Sequence, residues 1–254
     1  MWYGLDLDRS TSKRVAYLSP VKICEEHHTF RIGDNHNSLQ GLDPTERAKV
    51  IDEKQRKFEC KYDLYIALAL LKFQDRECIM APYNFGDHWI CLLINPSLGR
   101  VLVLDSTDYD PSSYAKFITH LEWAYRYYKI KGGRCESSKP GQPLRLFYKW
   151  LIPTKISQCH KQPVGSVHCG FYFCEFMRET KRYVTNPSKQ YVLEKAKSMT
   201  QVVLYNIVED LCTFLLREVI PTKGKYHDPT STLAKPEFRA LRDISRLKLS
   251  RSGY

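Results

Sequence analysis

Between residues 78 and 106 the chain carries three apolar runs that are too short and too closely spaced to be helices: CIMAP, HWICLLIN and RVLVLDS. Runs of this length, rich in apolar residues and bounded by turn formers, read as strands of a buried sheet. PSLG supplies a tight turn between the second and third runs, so those two strands are neighbours. A chain that spends its centre this way needs layers on the sheet, and the flanking sequence provides them. KYDLYIALALLKF repeats Leu64, Leu68 and Leu71 at three to four residues, which predicts a helix with those leucines on its buried stripe. DPSSYAKFITHLEWAYRYYKI opens on an Asp-Pro helix start and stops at Gly132 and Gly133, and MTQVVLYNIVEDLCTFLLREVI is a second strong helix ending at Pro221.

The remaining segments complete an α+β pattern, a central mixed sheet flanked by helices with no internal repeat. RVAYLSPVKI reads as a strand running into a turn. NHNSLQGLDPTERAKV reads as a surface connection followed by a short helix. KPGQP is a loop, LRLFYKWLI a further strand, and a helix is expected from about Cys169 to Tyr183. The organisation expected is a partly loop-like segment over 1–59 packing on a core over 60–221, then a tail over 222–254. Phe238, Leu241, Ile244 and Leu247 give that tail the three-residue spacing of a short helix.

Composition sets the broad class. Of 254 residues, 43% are apolar, enough for a real core. The longest apolar runs, around 64–71 and 101–104, are far too short to span a bilayer, and MWYGLDLDRS has no basic-then-apolar leader pattern, so an intracellular protein with no membrane association is expected. Nine cysteines, an odd number scattered singly, suit reduced thiols better than a disulfide framework. The net charge of +11 favours an acidic partner without choosing among nucleic acid, anionic membrane and acidic protein. Residues 222–254 hold eight basic and three acidic side chains. That tail is a candidate for weak nucleic-acid contact, with a solubilising role as the alternative.

QPVGSVHCGFYFCEFM is loop-like for seven residues and then apolar at helical spacing from Cys169 onward. A helix start stabilises a thiolate through unpaired backbone N–H groups and the helix dipole. Gly170 leaves the neighbouring backbone open. Cys174 falls within the apolar helix, where packing explains it, and Cys159 lacks a following helix. Burial as one more core thiol would account for Cys169 equally well on position alone.

Partners decide between these readings, because a cysteine hydrolase needs a base, a group to orient the base and an oxyanion donor. His88 stands at the lip of the HWICLLIN strand and Asp105 ends the adjacent RVLVLDS strand. Gln162, ahead of the cysteine, has an amide that could donate to an oxyanion. Together these make a Cys-His-Asp set with a fourth member. His168 competes as base, but adjacent side chains of an extended segment point to opposite sides, which turns it away from the Cys169 sulfur. Asp87 and Asp108 are rivals to Asp105 that read as solvated turn residues. Cys24, His27, His28 and His36 are the best zinc candidates, yet no second CxxC or HxxxH pair frames them, and neither a metal nor a cofactor is expected.

DHW, then VLDS, then Q…CG in that chain order resembles the proteases of SUMO and other ubiquitin-like modifiers, with IMAPYNFGDHWICLLINP and GSVHCGFYFCEFMRE most similar to the transposon-associated, plant-type branch. The resemblance covers roughly residues 60–220. It implies a papain-like cysteine protease fold over the core and a thiol peptidase or isopeptidase that cleaves after the Gly-Gly of a modifier. It implies Cys169 as nucleophile, His88 as general base and acid, Asp105 as the group holding the imidazole, and Gln162 with the Cys169 N–H as oxyanion hole. Trp89 would form part of the lid over a channel that only a glycine tail can thread. The partners implied are the modifier and its conjugates, and the compartment is the nucleus. The chain departs from the family pattern at His168, where an Asp is usual, and in placing Gln162 seven residues ahead of Cys169 where six is usual.

Overall fold

In the computed structural model, which describes residues 15–33, 36–107, 109–136, 145–147, 159–178, 198–238 and 240, the three apolar runs form the middle of a five-stranded sheet. Its strands are β1 (Val15–Tyr17), β2 (Cys78–Phe85), β3 (His88–Asn95), β4 (Arg100–Leu104) and β5 (Arg145–Phe147), in spatial order β1-β2-β3-β4-β5. The central pairs β2/β3 and β3/β4 are antiparallel, whereas β1 and β5 add to the two sides in parallel. The sheet is therefore mixed. Both hairpins depend on glycine: the two-residue Gly86-Asp87 turn has Gly86 at φ 51°, and Gly99 at φ 59° closes the turn between Asn95 and Arg100.

The sheet is covered on both faces, which is why β2 and β3 read as continuous apolar runs rather than alternating ones. On one face Ile79, Ala81, Tyr83, Ile90, Leu92 and Ile94 join a core with two long helices, and on the other Met80, Cys91, Leu93 and Leu104 join a second core with two later helices. The first layer consists of α1 (Pro20–Ile23), α2 (Glu25–His28), α3 (Pro44–Lys72) and α4 (Ala115–Ile130); the second of α5 (Cys169–Arg178) and α6 (Gln201–Phe214), which continues as one π-helical turn over Leu215–Val219. The α+β architecture with helices on both sides of a mixed sheet is as the sequence implied.

Pro82 does not end β2, contrary to the reading of CIMAP as a strand that stops there; the strand continues to Phe85. The Leu18 N–H donates to Met80 O, so Met80 and, two residues on, Pro82 turn their backbone groups toward β1. The chain leaves β1 for α1 just past Leu18, so the N–H that Pro82 lacks would have had no strand to serve. Two further expectations change. The turn after β1 is the short helix α1, opened by Pro20 at its first position. The short helix after residue 43 and the helix around residue 64 are one 29-residue helix, α3. Asp43 accepts from the N–H groups of Thr45 and Glu46 at 2.7 and 2.9 Å while Glu46 reaches back to the Asp43 N–H, a complete capping box. From Thr45 to Lys72 no Gly or Pro interrupts it. Residue 60 thus lies in mid-helix.

The buried stripe of α3 is Tyr62, Ile66, Ala67 and Leu70, with Leu71 packed at its margin; Leu64 and Leu68 are 41% and 52% exposed. The helix end is apolar nearly all round, so spacing alone left the rotation of the helix undetermined. The helix over Cys169–Arg178 and the strand over Arg145–Phe147 fall where expected, and the rest of each expected span, 179–183, 144 and 148–152, lies outside the described residues. Phe238 ends a 3-10 turn (Pro236–Phe238), while Leu241, Ile244 and Leu247 of the expected tail helix also lie outside them.

Candidate active site

His88 opens β3 and Asp105 follows the last residue of β4, so antiparallel pairing of the two strands brings both side chains to one rim of the sheet. They meet there: His88 Nε2 and Asp105 Oδ1 are 2.7 Å apart, with both side chains buried. Asp105 also accepts from the N–H groups of Thr107 to Oδ1 at 2.8 Å and Tyr109 to Oδ2 at 2.7 Å. Burial works against the charged carboxylate. The bond from His88, the Thr107 amide, the His88 charge and the Tyr109 amide together outweigh it and hold the group below its ordinary value. An ionised Asp105 accepts a proton-bearing Nε2, which leaves the lone pair of the neutral ring on Nδ1.

Cys169 is the first residue of α5, and the His168 carbonyl accepts from the N–H groups of Phe171 and Tyr172 at 2.9 and 3.1 Å, so the chain turns helical at the cysteine. The amides of Cys169 and Gly170 are then the first two of the helix, which have no intrahelical acceptor. Gly170 stands open, since a Cβ added there meets nothing within 4 Å. The Cys169 thiol is buried and lies 3.8 Å from the carbonyl of Asp87, one peptide from His88. Its hydrogen bond goes to that carbonyl, not to the imidazole. Trp89, the next residue of β3, is half-buried and its ring centroid is 6.2 Å from that of Phe173 on α5.

The loop before the cysteine is fastened to the segment after β4. Gln162 N–H donates to Ser106 O at 2.9 Å, Ser106 Oγ donates to Gln162 Oε1 at 2.9 Å, and the Lys161 ammonium and Cys159 thiol both reach the Asp105 carbonyl. Gln162 Nε2 donates to Ser166 O at 2.6 Å, and a carboxamide has a second N–H beyond the one so used. Residues 163–166 close a turn, Ser166 N–H to Pro163 O at 3.1 Å, with Gly165 at φ 77° as the third turn residue of a type II turn requires.

Sequence reasoning therefore named four residues that the fold gathers at one rim, with Trp89 beside them. His168 is half-buried with its ring 6.2 Å from Phe171, and Asp87 is exposed; Asp108 lies outside the described residues. Tyr109 was missed. Its ring centroid is 4.7 Å from that of His88, it is 45% exposed, and its amide holds Asp105. Its only signal was its place in the turn that follows VLDS. The zinc candidates do not converge: Cys24 Sγ and His27 Nδ1 are 3.0 Å apart, but His28 turns into the core and bonds the Tyr83 hydroxyl at 2.6 Å. His36 bonds Ser38. Among the described residues no three His, Cys, Asp or Glu side chains are grouped to hold a metal ion. All nine cysteines are free thiols, and burial pushes the thiols of Cys78, Cys91 and Cys174 up, the last to about 11. Among the described residues no helix is long and apolar enough to cross a membrane.

No protein-family model matches this chain, and no curated protein matches it significantly.

Proposed function

We propose that the chain is a thiol peptidase or isopeptidase with a papain-like fold, acting in the nucleus on a small ubiquitin-like modifier of the SUMO type and cleaving after its C-terminal Gly-Gly. The observation that carries this reading is the 2.7 Å bond between His88 and Asp105, at a rim where the Cys169 helix begins. Asp105 fixes the ring so that Nδ1 can take the thiol proton. The thiolate then adds to the carbonyl carbon of the terminal glycine. The Cys169 N–H and the second N–H of Gln162 donate hydrogen bonds to the developing oxyanion. The imidazolium returns its proton to the departing amine, leaving a thioester and a free amine. Water, deprotonated by His88, hydrolyses the thioester and regenerates the thiol. Trp89 would wall the channel for the glycines, and the open backbone at Gly170 leaves room for them. The first step requires the thiol to exchange its bond to Asp87 O for one to His88 Nδ1, a tightening common when substrate fills a site.

That same bond, and the engagement of Gln162 Nε2 by Ser166 O, favour one alternative: a silent module of this fold that binds a modifier without cleaving it. Incubation with a panel of modifiers carrying a vinyl-sulfone or aldehyde in place of the terminal carboxylate separates the two. Covalent capture at Cys169 by one modifier is the expected result. Reversible binding with no adduct would establish the silent module.

A further inference from the structure

The solvent face of α4 carries an apolar ridge that the fold does not use. The inward face of this helix is complete without it, with Phe117, Leu121, Ala124 and Tyr128 all fully buried against the sheet and α3. On the outer face Trp123, Tyr127 and Ile130 stand at i, i+4 and i+7 and are 55%, 37% and 80% exposed. Residues so spaced form one line along a helix. A tryptophan and an isoleucine left this open add nothing to the core, and surface clusters of Trp, Tyr and Arg are the composition of binding hot spots. Two cations are set on the rings: the Arg126 guanidinium lies 4.9 Å from the Trp123 ring centroid and the Lys131 ammonium 5.4 Å from that of Tyr127. Arg134 adds positive charge just beyond the helix, while Lys116 is paired with Glu59 at 3.9 Å and Lys129 lies over the buried Tyr125 ring; Glu122 is the one acidic residue within α4.

We propose that this face of α4 docks an acidic, amphipathic protein helix. A ridge at i, i+4 and i+7 is the counterpart of the anchor spacing by which one helix seats on another, and the cations that border it select carboxylates. Ring faces already engaged by Arg126 and Lys131 are poor platforms for stacking nucleobases, and Ile130 has nothing to offer a base. A ridge one side chain wide, bordered by cations, offers a bilayer little apolar area to bury. The face is separate from the Cys169 rim: α4 leads away from the Asp105 segment, and Tyr125, within the helix, approaches Gly99 in the turn at the other end of β4. The proposal does not depend on the protease reading.

The test uses the full chain and a fluorescein-labelled 18-residue peptide of Glu and Leu with leucine at i, i+3, i+4 and i+7. Anisotropy titration at low salt should show saturable binding, and the double variant Trp123→Ala, Ile130→Ala, its fold checked by far-ultraviolet circular dichroism, should weaken it at least tenfold. Backbone amide shifts in the unaltered protein should map to residues 119–131. A control peptide with Lys in place of Glu should not bind. Absence of binding, equal binding by the double variant, shifts elsewhere, or binding of a 15-residue oligothymidylate or anionic vesicles in place of the peptide would each overturn the proposal.

Discussion

Two histidine–aspartate pairs of the same bond length stand in the described fold, each with aromatic rings against its histidine, and the rest of their surroundings differ. His88 and Asp105 are 2.7 Å apart at the rim of the sheet, and His120 and Asp63 are 2.7 Å apart between α4 and α3. The rim carboxylate is held by two backbone amides, and the peptide beside its histidine meets the Cys169 thiol. The inner pair is walled by aromatic rings, with Tyr62 at 4.9 Å and His28 at 5.4 Å from His120, and its His120 Nε2 is buried without a partner. A buried imidazole–carboxylate pair is therefore no signature of catalysis. What separates the two is a thiol at a helix start, with open backbone donors beside it.

The sharpest break of the comparison removes that thiol. Cys169→Ala should abolish turnover of a Gly-Gly-terminated modifier fused to a fluorogenic amine, and abolish probe capture, with an unchanged circular dichroism spectrum, because little packing is lost at the helix start. Cys174→Ala should stay active. Capture at Cys174 in the unaltered protein would show that the wrong thiol was chosen.

Next come the two pairs themselves. His88→Ala should lower kcat by several orders of magnitude and Asp105→Asn by less, since the imidazole loses its orienting carboxylate but keeps a lone pair. His120→Ala and Asp63→Asn should leave kcat within a few-fold and instead lower stability by about 1–3 kcal/mol, the usual cost of an unpaired buried polar partner. Urea unfolding and steady-state kinetics on the four variants read both quantities. If His120→Ala lost activity as His88→Ala does, the distinction between the pairs would fail. Gln162→Ala should cost about 10²- to 10³-fold in kcat with little change in KM, the range for one oxyanion donor. An unchanged rate would leave the role to the backbone N–H groups of α5.

How far the site was readable follows from which interactions are local. His88 and Asp105 lie at the ends of strands whose apolar runs and turn are explicit in the sequence, and Cys169 lies where a loop pattern gives way to helical spacing; neighbouring strands then had to bring the first two together. The seating of the Tyr109 ring against His88 and the fastening of Gln162 to Ser106 arise between segments distant in the chain, and no spacing encodes them. The rotation of α3 was misread for a related reason. Tyr62, Ile66 and Leu70 share the spacing of Leu64 and Leu68, so only packing against the sheet chooses between the two stripes. Leu70→Ala should cost about 2–5 kcal/mol as a core truncation, whereas Leu68→Ala should stay within about 0.5 kcal/mol as a surface change. Urea midpoints with the reverse order would restore the leucine stripe.

The histidine packed against the inner pair, His28, also makes a prediction about pH that the rim pair does not share. His28 packs against Tyr62 of α3, Tyr83 of β2 and both Phe117 and His120 of α4, with Nε2 on the Tyr83 hydroxyl and Nδ1 buried without a partner. Burial first, then the nearby His120 and Lys116, push its pKa down from 6.5 to about 4, with Glu25 opposing. The folded protein keeps this ring neutral where the unfolded chain protonates it. Between those two values the unfolded state binds more protons, so stability must fall as pH drops below about 6.5 and level off near 4. The gap corresponds to at most about 3 kcal/mol. Asp105, whose pKa is lowered, loses its contribution only at lower pH, so the window from pH 4.5 to 7 isolates the histidine. Urea midpoints across that window should decline for the unaltered protein and stay flatter for His28→Gln. Parallel slopes in the two proteins would mean that His28 is protonated in the folded state with little cost, and that the aromatic wall around the inner pair is more open to water than its burial indicates.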